Sequence, residues 1–240
     1  PNQVFVGIFI CSHNAEVIEK TIFSNVRIIK PAPADLVQYR DYLSSNLEIM
    51  DIKTGKRKIV KQYHGSLQAP NWTTNGKTLI FNQEGALYNF DIQSQQSNLL
   101  YTGFANRNNN DHVLTFDGAT IGISHHSESD DGQSIIYYLP TTGGDPIRVT
   151  PLGPSYFHGW SPDGNTLVYT GGRDNVYNIY TIDKSGGQET RLTNESTLDD
   201  GPEFSPDGKY IYFNSDRTGT MQLWRMDSNG ENPVQLTFDK

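Results

Sequence analysis

The sequence predicts an all-β fold, a β-propeller of repeated four-stranded antiparallel blades, and three observations predict it. A turn-forming tetrapeptide recurs: Thr73-Thr74-Asn75-Gly76, Thr115-Phe116-Asp117-Gly118, Ser161-Pro162-Asp163-Gly164 and Ser205-Pro206-Asp207-Gly208 are spaced by 42, 46 and 44 residues. Strand-like apolar runs flank every copy. The composition, with 22 Gly, 12 Pro and 13 Tyr and no Leu/Ala/Glu/Lys-rich stretch, favours short strands joined by tight turns over helices.

Each tetrapeptide has a mechanism as a turn. In the last two copies Pro presets φ, Asp bonds the local backbone and Gly accepts a positive φ. An aromatic residue or Leu precedes each turn (Trp72, Leu114, Trp160, Phe204), and an apolar run follows at 78–81, 119–123, 166–169 and 210–213, so each turn joins a first strand to a second. Third strands follow at 86–90, 134–138, 176–180 and 221–225. Fourth strands are plainest at 147–150, 190–193 and 234–237. Four short strands per unit of about 40–45 residues is the signature of propeller blades, which stack because none buries its faces alone. The blades are expected at 66–104, 105–152, 153–196 and 197–240. Segments 46–51 and 57–62 match only the third and fourth strands of a further blade. A half blade at one end and a completed fourth strand at the other lead to the expectation of a ring that continues past Lys240, since open sheet edges invite pairing with other chains. The rival is a ring of five completed by a hairpin at 4–10 and 21–28. Segment 31–43 opens with Pro31-Ala32-Pro33-Ala34 and reads as a linker, which makes 44–240 the propeller.

A formal charge of −8 argues against a nucleic-acid partner, which needs a clustered basic surface. The one basic run, Lys53 to Lys61, alternates with Thr, Gly, Ile and Val as in a solvated hairpin. The longest apolar stretch, residues 4–11, is strand length, so no membrane-inserting segment is expected. Cys11 has no second cysteine to pair with, and the redox compartment stays open.

The Ser-Pro-Asp-Gly-Lys turn at 205–209, followed by Asn214-Ser215-Asp216-Arg217 and Gln222-Leu223-Trp224-Arg225-Met226-Asp227, resembles the repeats of TolB-like β-propellers over residues 44–240. Propellers of this type are commonly six-bladed. The resemblance implies a non-catalytic, protein-binding role and a periplasmic or extracellular location. Residues 1–30 are similar instead to the last strands of a concanavalin- or laminin-G-like sandwich, often appended to carbohydrate-active bacterial proteins. No helical N-terminal domain like that of TolB is visible, a departure that weighs against a role in the Tol envelope system.

In a propeller the first strand of each blade lines the channel, and function gathers on the face that carries the loops between second and third strands. Counting back from each turn puts Pro70, His112, His158 and Pro202 at equivalent positions. By symmetry His112 and His158 should converge at the channel mouth, with Asn110, Asp111 and Asp200 close by. Two imidazoles and carboxylates suit a divalent metal or a polar ligand equally well. Two functions are therefore expected to compete. One is a binding module for a protein, peptide or glycan; the other is a metal-assisted carbohydrate lyase or hydrolase centred on His112 and His158. The His125-His126-Ser127-Glu128-Ser129-Asp130-Asp131 cluster, between a second and a third strand, has cation-binding residue types but is expected in a solvated turn. Arg173-Asp174 and Asp216-Arg217 recur at the repeat period and are expected to pair between blades, with Arg173 also a candidate ligand-binding residue. No phosphate loop or nucleophile elbow is present.

Overall fold

The recurrent turns close by the chemistry their residues carry. The Gly76, Gly118, Gly164 and Gly208 backbones adopt φ of 66°, 72°, 70° and 71°, a region that costs a side-chain-bearing residue and is open to glycine. In the third copy the Gly164 amide donates to the Ser161 carbonyl at 2.8 Å, the Asn165 amide donates to Asp163 Oδ1 at 3.1 Å, and the Thr166 amide donates to Ser161 Oγ at 2.9 Å. The serine hydroxyl thus starts the second strand while the aspartate holds the turn.

The structure is a computed structural model that describes residues 16, 20, 22, 32–37 and 40–239. The sandwich-like or hairpin segment expected within residues 1–30 lies outside the described residues apart from three of these positions. The chain forms two compact units, Pro1–Val37 and Gln38–Lys240, and every described strand is in the second.

Strands β1 (Ser45–Met50) and β2 (Arg57–Tyr63) form a two-stranded sheet. Four antiparallel sheets of four strands follow in chain order. They are β3–β6 (Leu67–Trp72, Thr78–Gln83, Ala86–Asp91, Ser97–Leu99), β7–β10 (Asn108–Leu114, Thr120–His126, Ser134–Pro140, Ile147–Arg148), β11–β14 (Ser155–Trp160, Thr166–Arg173, Val176–Asp183, Thr190–Arg191) and β15–β18 (Asp199–Phe204, Tyr210–Ser215, Gln222–Asp227, Val234–Gln235). In each sheet sequential strands are spatial neighbours, a meander with the first strand at one edge. First strands β3, β7, β11 and β15 approach one another in succession along the inner side. Among the described residues no helix is long and apolar enough to cross a membrane, and the helix found is a single 3₁₀ turn at Glu128–Asp130.

The cores lie between sheets, not within them. Leu47 and Val60 of the two-stranded sheet meet Leu79, Phe81 and Phe90. Ile80 and Leu87 meet Ile121, Ile123, Ile135 and Leu139 of the next sheet, Ile136 meets Phe157, Trp160 and Tyr169, and Val168 and Ile179 meet Ile211, Phe213 and Met226. Burying one such side chain stabilises the fold by about 1.5–3 kcal/mol, so each blade depends on its neighbour.

Two expectations need correction. His125 and His126 end strand β8 and do not lie in a solvated loop; His125 is 5% exposed, edge-on to Phe104 and Tyr137. Strand alternation turns its ring inward, a placement that a run of polar neighbours hides in sequence. The recurring arginines also act chiefly inside their own blades. Arg173 Nη2 meets Glu189 Oε2 at 2.7 Å, and its guanidinium lies 5.2 Å from the Tyr180 ring centre. Arg217 Nη2 donates to both oxygens of Asp199 at 2.9 Å, with Glu195 at 3.3 Å from Nη1. Both arginines tie the loop after the second strand back to the sheet it belongs to.

Gly122 shows how tightly adjacent blades seat. A Cβ there would lie inside van der Waals contact with the Phe157 ring of the next sheet. Gly122→Ala is expected to lower stability by about 1–3 kcal/mol through overpacking, read as a lower urea midpoint.

Candidate functional site

The innermost strands all break their ladders at the same height. Register shifts fall between Gln68 and Asn71 in β3, Asn108 and His112 in β7, Phe157 and Gly159 in β11, and Asp200 and Glu203 in β15. A bulge leaves backbone groups unpaired and re-aims side chains, and bulges favour sheet edges next to functional sites. Neighbouring blades satisfy the freed groups. Asn82 Nδ2 donates to the carbonyls of Asn108 (2.8 Å) and Asn109 (2.7 Å), and Asn71 Nδ2 donates to that of His112 (2.8 Å). The Phe157 amide donates to Ser124 Oγ at 2.8 Å.

The bulges of β7, β11 and β15 open onto one cavity of about 380 Å³. Asn109, Asn110 and Asp111 line it from β7, Tyr156 and His158 from β11, and Asp200 from β15, with Thr170, Tyr177 and Leu198 completing the wall. His158 is the surplus residue of its bulge, so its ring leaves the ladder and faces the cavity. Its Nε2 lies 3.3 Å from Asp200 Oδ1. That approach is off the hydrogen-bonding direction, and Nε2 is buried with no hydrogen-bond partner. The contact is therefore an electrostatic one, an ion pair whenever His158 is protonated. Thr170 Oγ1 donates to Asp200 Oδ1 at 2.9 Å. The nearby His158, opposed by partial burial and aided by the Thr170 hydroxyl, holds the Asp200 carboxyl down at about 2.

Asp111 is in the opposite condition. It is 9% exposed, and its two oxygens accept from Asn109 Nδ2 (2.8 Å) and Asn110 Nδ2 (2.9 Å). Burial nevertheless raises its pKa, against the pull of His158 and together with the charge of Asp200. The two carboxylates thus share one cavity with their affinities for protons pushed apart. Tyr156 and Tyr177 pack against each other on its wall, with ring centres 6.3 Å apart and planes at 42°.

Of the residues singled out from sequence, Asn110, Asp111, His158 and Asp200 meet in this cavity; His112 and Arg173 do not line it. Equal distance from the turn does not make His112 equivalent to His158. Between ladder pairs Asn108–His125 and His112–Ile123, β7 advances four residues while β8 advances two, so the surplus precedes His112, which stays in register. Its ring is 2% exposed, with the carbonyls of Ile80, Asn110 and Ala69 near it but outside hydrogen-bond geometry. Burial lowers its pKa to about 4. Among the described residues no three His, Cys, Asp or Glu side chains are grouped to hold a metal ion. Sequence reasoning missed Asn109, Tyr156, Thr170, Tyr177 and Leu198; Asn109 adjoins Asn110 and Asp111, which it did single out. Period-2 alternation along β11 could have found Tyr156, two residues before His158. Nothing local signals the other three, which come from different strands and a connection.

A family model of the TolB β-propeller domain matches residues 158–240. The chain is 46% identical over 164 residues to an uncharacterised protein of Agrobacterium fabrum, an alignment covering 68% of this chain and 55% of that protein. The chain therefore spans about half the length of that curated relative. A solved structure from Agrobacterium tumefaciens, assigned as a TolB, is 45% identical, has a TM-score of 0.78, and is matched over 82% of this chain and 71% of its own. The chain belongs to the TolB-like β-propeller family. TolB from Acinetobacter baumannii, at 22% identity, matches with a TM-score of 0.68 over 82% of this chain and 52% of its own, and bears on the fold of this TolB-like chain alone.

Two pH dependences follow. His112 binds a proton more readily unfolded than folded, so its contribution to stability is complete above about pH 6.5 and is lost as pH falls toward about 4, an effect on the order of 3 kcal/mol. Urea unfolding from pH 7 to 4 should show this slope in the wild type and a flatter one in His112→Leu. Asp200 titrates lower still. The stability difference between wild type and Asp200→Asn should shrink as pH falls from about 4 to about 2, where the folded carboxylate takes its proton.

Proposed function

We propose that this TolB-like propeller is a non-catalytic binding module that recognises an extended peptide segment of a protein partner at the bulge-lined cavity of its channel face. The observation that carries the reading is the cavity's construction. Three innermost strands contribute through their bulges, so the wall is rigid and preformed, and two tyrosines stand among a few polar groups. A concave site with an apolar body and convergent polar groups is how ligands are held and oriented. Tyrosine supplies large contact area at low entropic cost. Membership of the TolB-like family favours a protein as partner over a glycan, and a periplasmic location is part of the same proposal. The metal-assisted lyase or hydrolase is less well supported, because His112 is enclosed between blades and His158 is left without a second imidazole in the cavity.

Panning a random phage-displayed peptide library against the immobilised chain tests this. Enriched peptides are expected to bind in calorimetry and to lose at least about ten-fold in affinity, roughly 1.4 kcal/mol, on Tyr177→Ala. Tyr177 is 37% exposed, so its truncation leaves the cores intact. A cooperatively folded chain that enriches no peptide, or binding indifferent to Tyr177, would overturn the reading.

A further inference from the structure

The cavity's lining holds two carboxylates, one imidazole and no lysine or arginine. Arginines of the neighbouring loops do not neutralise it, since Arg173 is engaged by Glu189 and Arg217 by Asp199 and Glu195. Asp200, with its side chain 46% exposed, presents carboxylate at the mouth, and Asp111 presents a second, desolvated one deeper in the wall. His158 Nε2 is buried 3.3 Å from Asp200 Oδ1, so it backs that carboxylate and is closed to a ligand. The two tyrosine rings offer π faces, which attract cations, and Leu198 offers apolar surface to an alkyl stem. An anion would meet repulsion from both carboxylates, and a neutral group would forgo the charge-assisted bonds they offer.

We infer that the cavity is a receptor for a cationic side chain, a lysine or arginine of the bound peptide, with Asp200 and Asp111 taking the charge and the Tyr156–Tyr177 pair lying along one side of the stem. This deepens the peptide-binding reading above and rests on it.

The test titrates the whole chain with four small probes: the Nα-acetyl amides of arginine, lysine, citrulline and glutamate. Binding is followed by calorimetry and by the NMR signals of Tyr156 and Tyr177. Citrulline keeps the shape of arginine and removes its charge. The arginine or lysine probe is expected to saturate at least about ten-fold more tightly than citrulline, with no binding of the glutamate probe. Asp200→Asn should weaken the cationic probe by about ten-fold or more. Because Asp200 also bonds Thr170, unfolding midpoints of the variant are compared, and Tyr177→Ala serves as a second variant expected to weaken the same probe. Equal affinity for citrulline and arginine, an Asp200→Asn variant that binds as the wild type does, or no saturable binding of any cation would overturn the inference. Library peptides that bind through Tyr177 but carry no basic residue would sink the cationic receptor and leave the peptide site standing. Cation binding by a chain that enriches no peptide would do the reverse.

Discussion

The structure depends on a bulge in every innermost strand. An uninterrupted first strand would pair fully with its second strand and present a flat inner edge. Each bulge instead frees carbonyls and amides that must find partners, because an unpaired buried backbone group is costly. At β7 and β11 those partners come from the neighbouring blade: Asn82 and Asn71 reach from the first four-stranded sheet to the β7 bulge, Ser124 reaches from the second to Phe157, and Trp160 Nε1 of the third donates to the Val113 carbonyl at 3.0 Å. One local defect per blade thereby sets how adjacent blades sit and which side chains face the channel.

Apolar packing reinforces the same relation. Every core cluster spans two sheets, and Gly122 is bare because Phe157 of the next blade occupies the space a side chain would need. The polar bonds at the inner edge and the apolar contacts further out act at the same interfaces, so changing either one shifts the geometry of the other. The cavity inherits its rigidity from both. Its wall is strand, held from two sides, except at Leu198, which comes from a connection.

The site's electrostatics follow from where the bulges put three groups. Asp200 accepts a hydrogen bond from the Thr170 hydroxyl and has His158 beside it, which favours the charged form. Asp111 is enclosed and near a second carboxylate, which disfavours it despite two amide donors. His112, four residues after Asn108 on the same strand as Asp111, is sealed between blades and kept neutral. The same residue types take different charge states because desolvation prevails at Asp111 and His112, while at Asp200 the adjacent His158 and the Thr170 hydroxyl outweigh it.

The repeat of turn tetrapeptides determined the blades by itself, since Ser-Pro-Asp-Gly carries its own φ preferences and hydrogen bonds, and alternating apolar runs can pair only as strands beside it. Four sheets therefore occur where the turns require them. Asn110, Asp111, His158 and Asp200 were legible as a group because they lie near one repeat position. Tertiary structure alone decided that His158 joins them and His112 does not. A bulge one residue earlier or later reverses the direction of a side chain, and its placement depends on which polar groups the next blade offers to the broken ladder. The same holds for Tyr177, Thr170 and Leu198, which reach the cavity from other strands and a connection, and for Arg173, whose charge Glu189 takes up after the fourth strand folds back. Local sequence encodes turns and alternation; the register of bulges is settled only when blades meet.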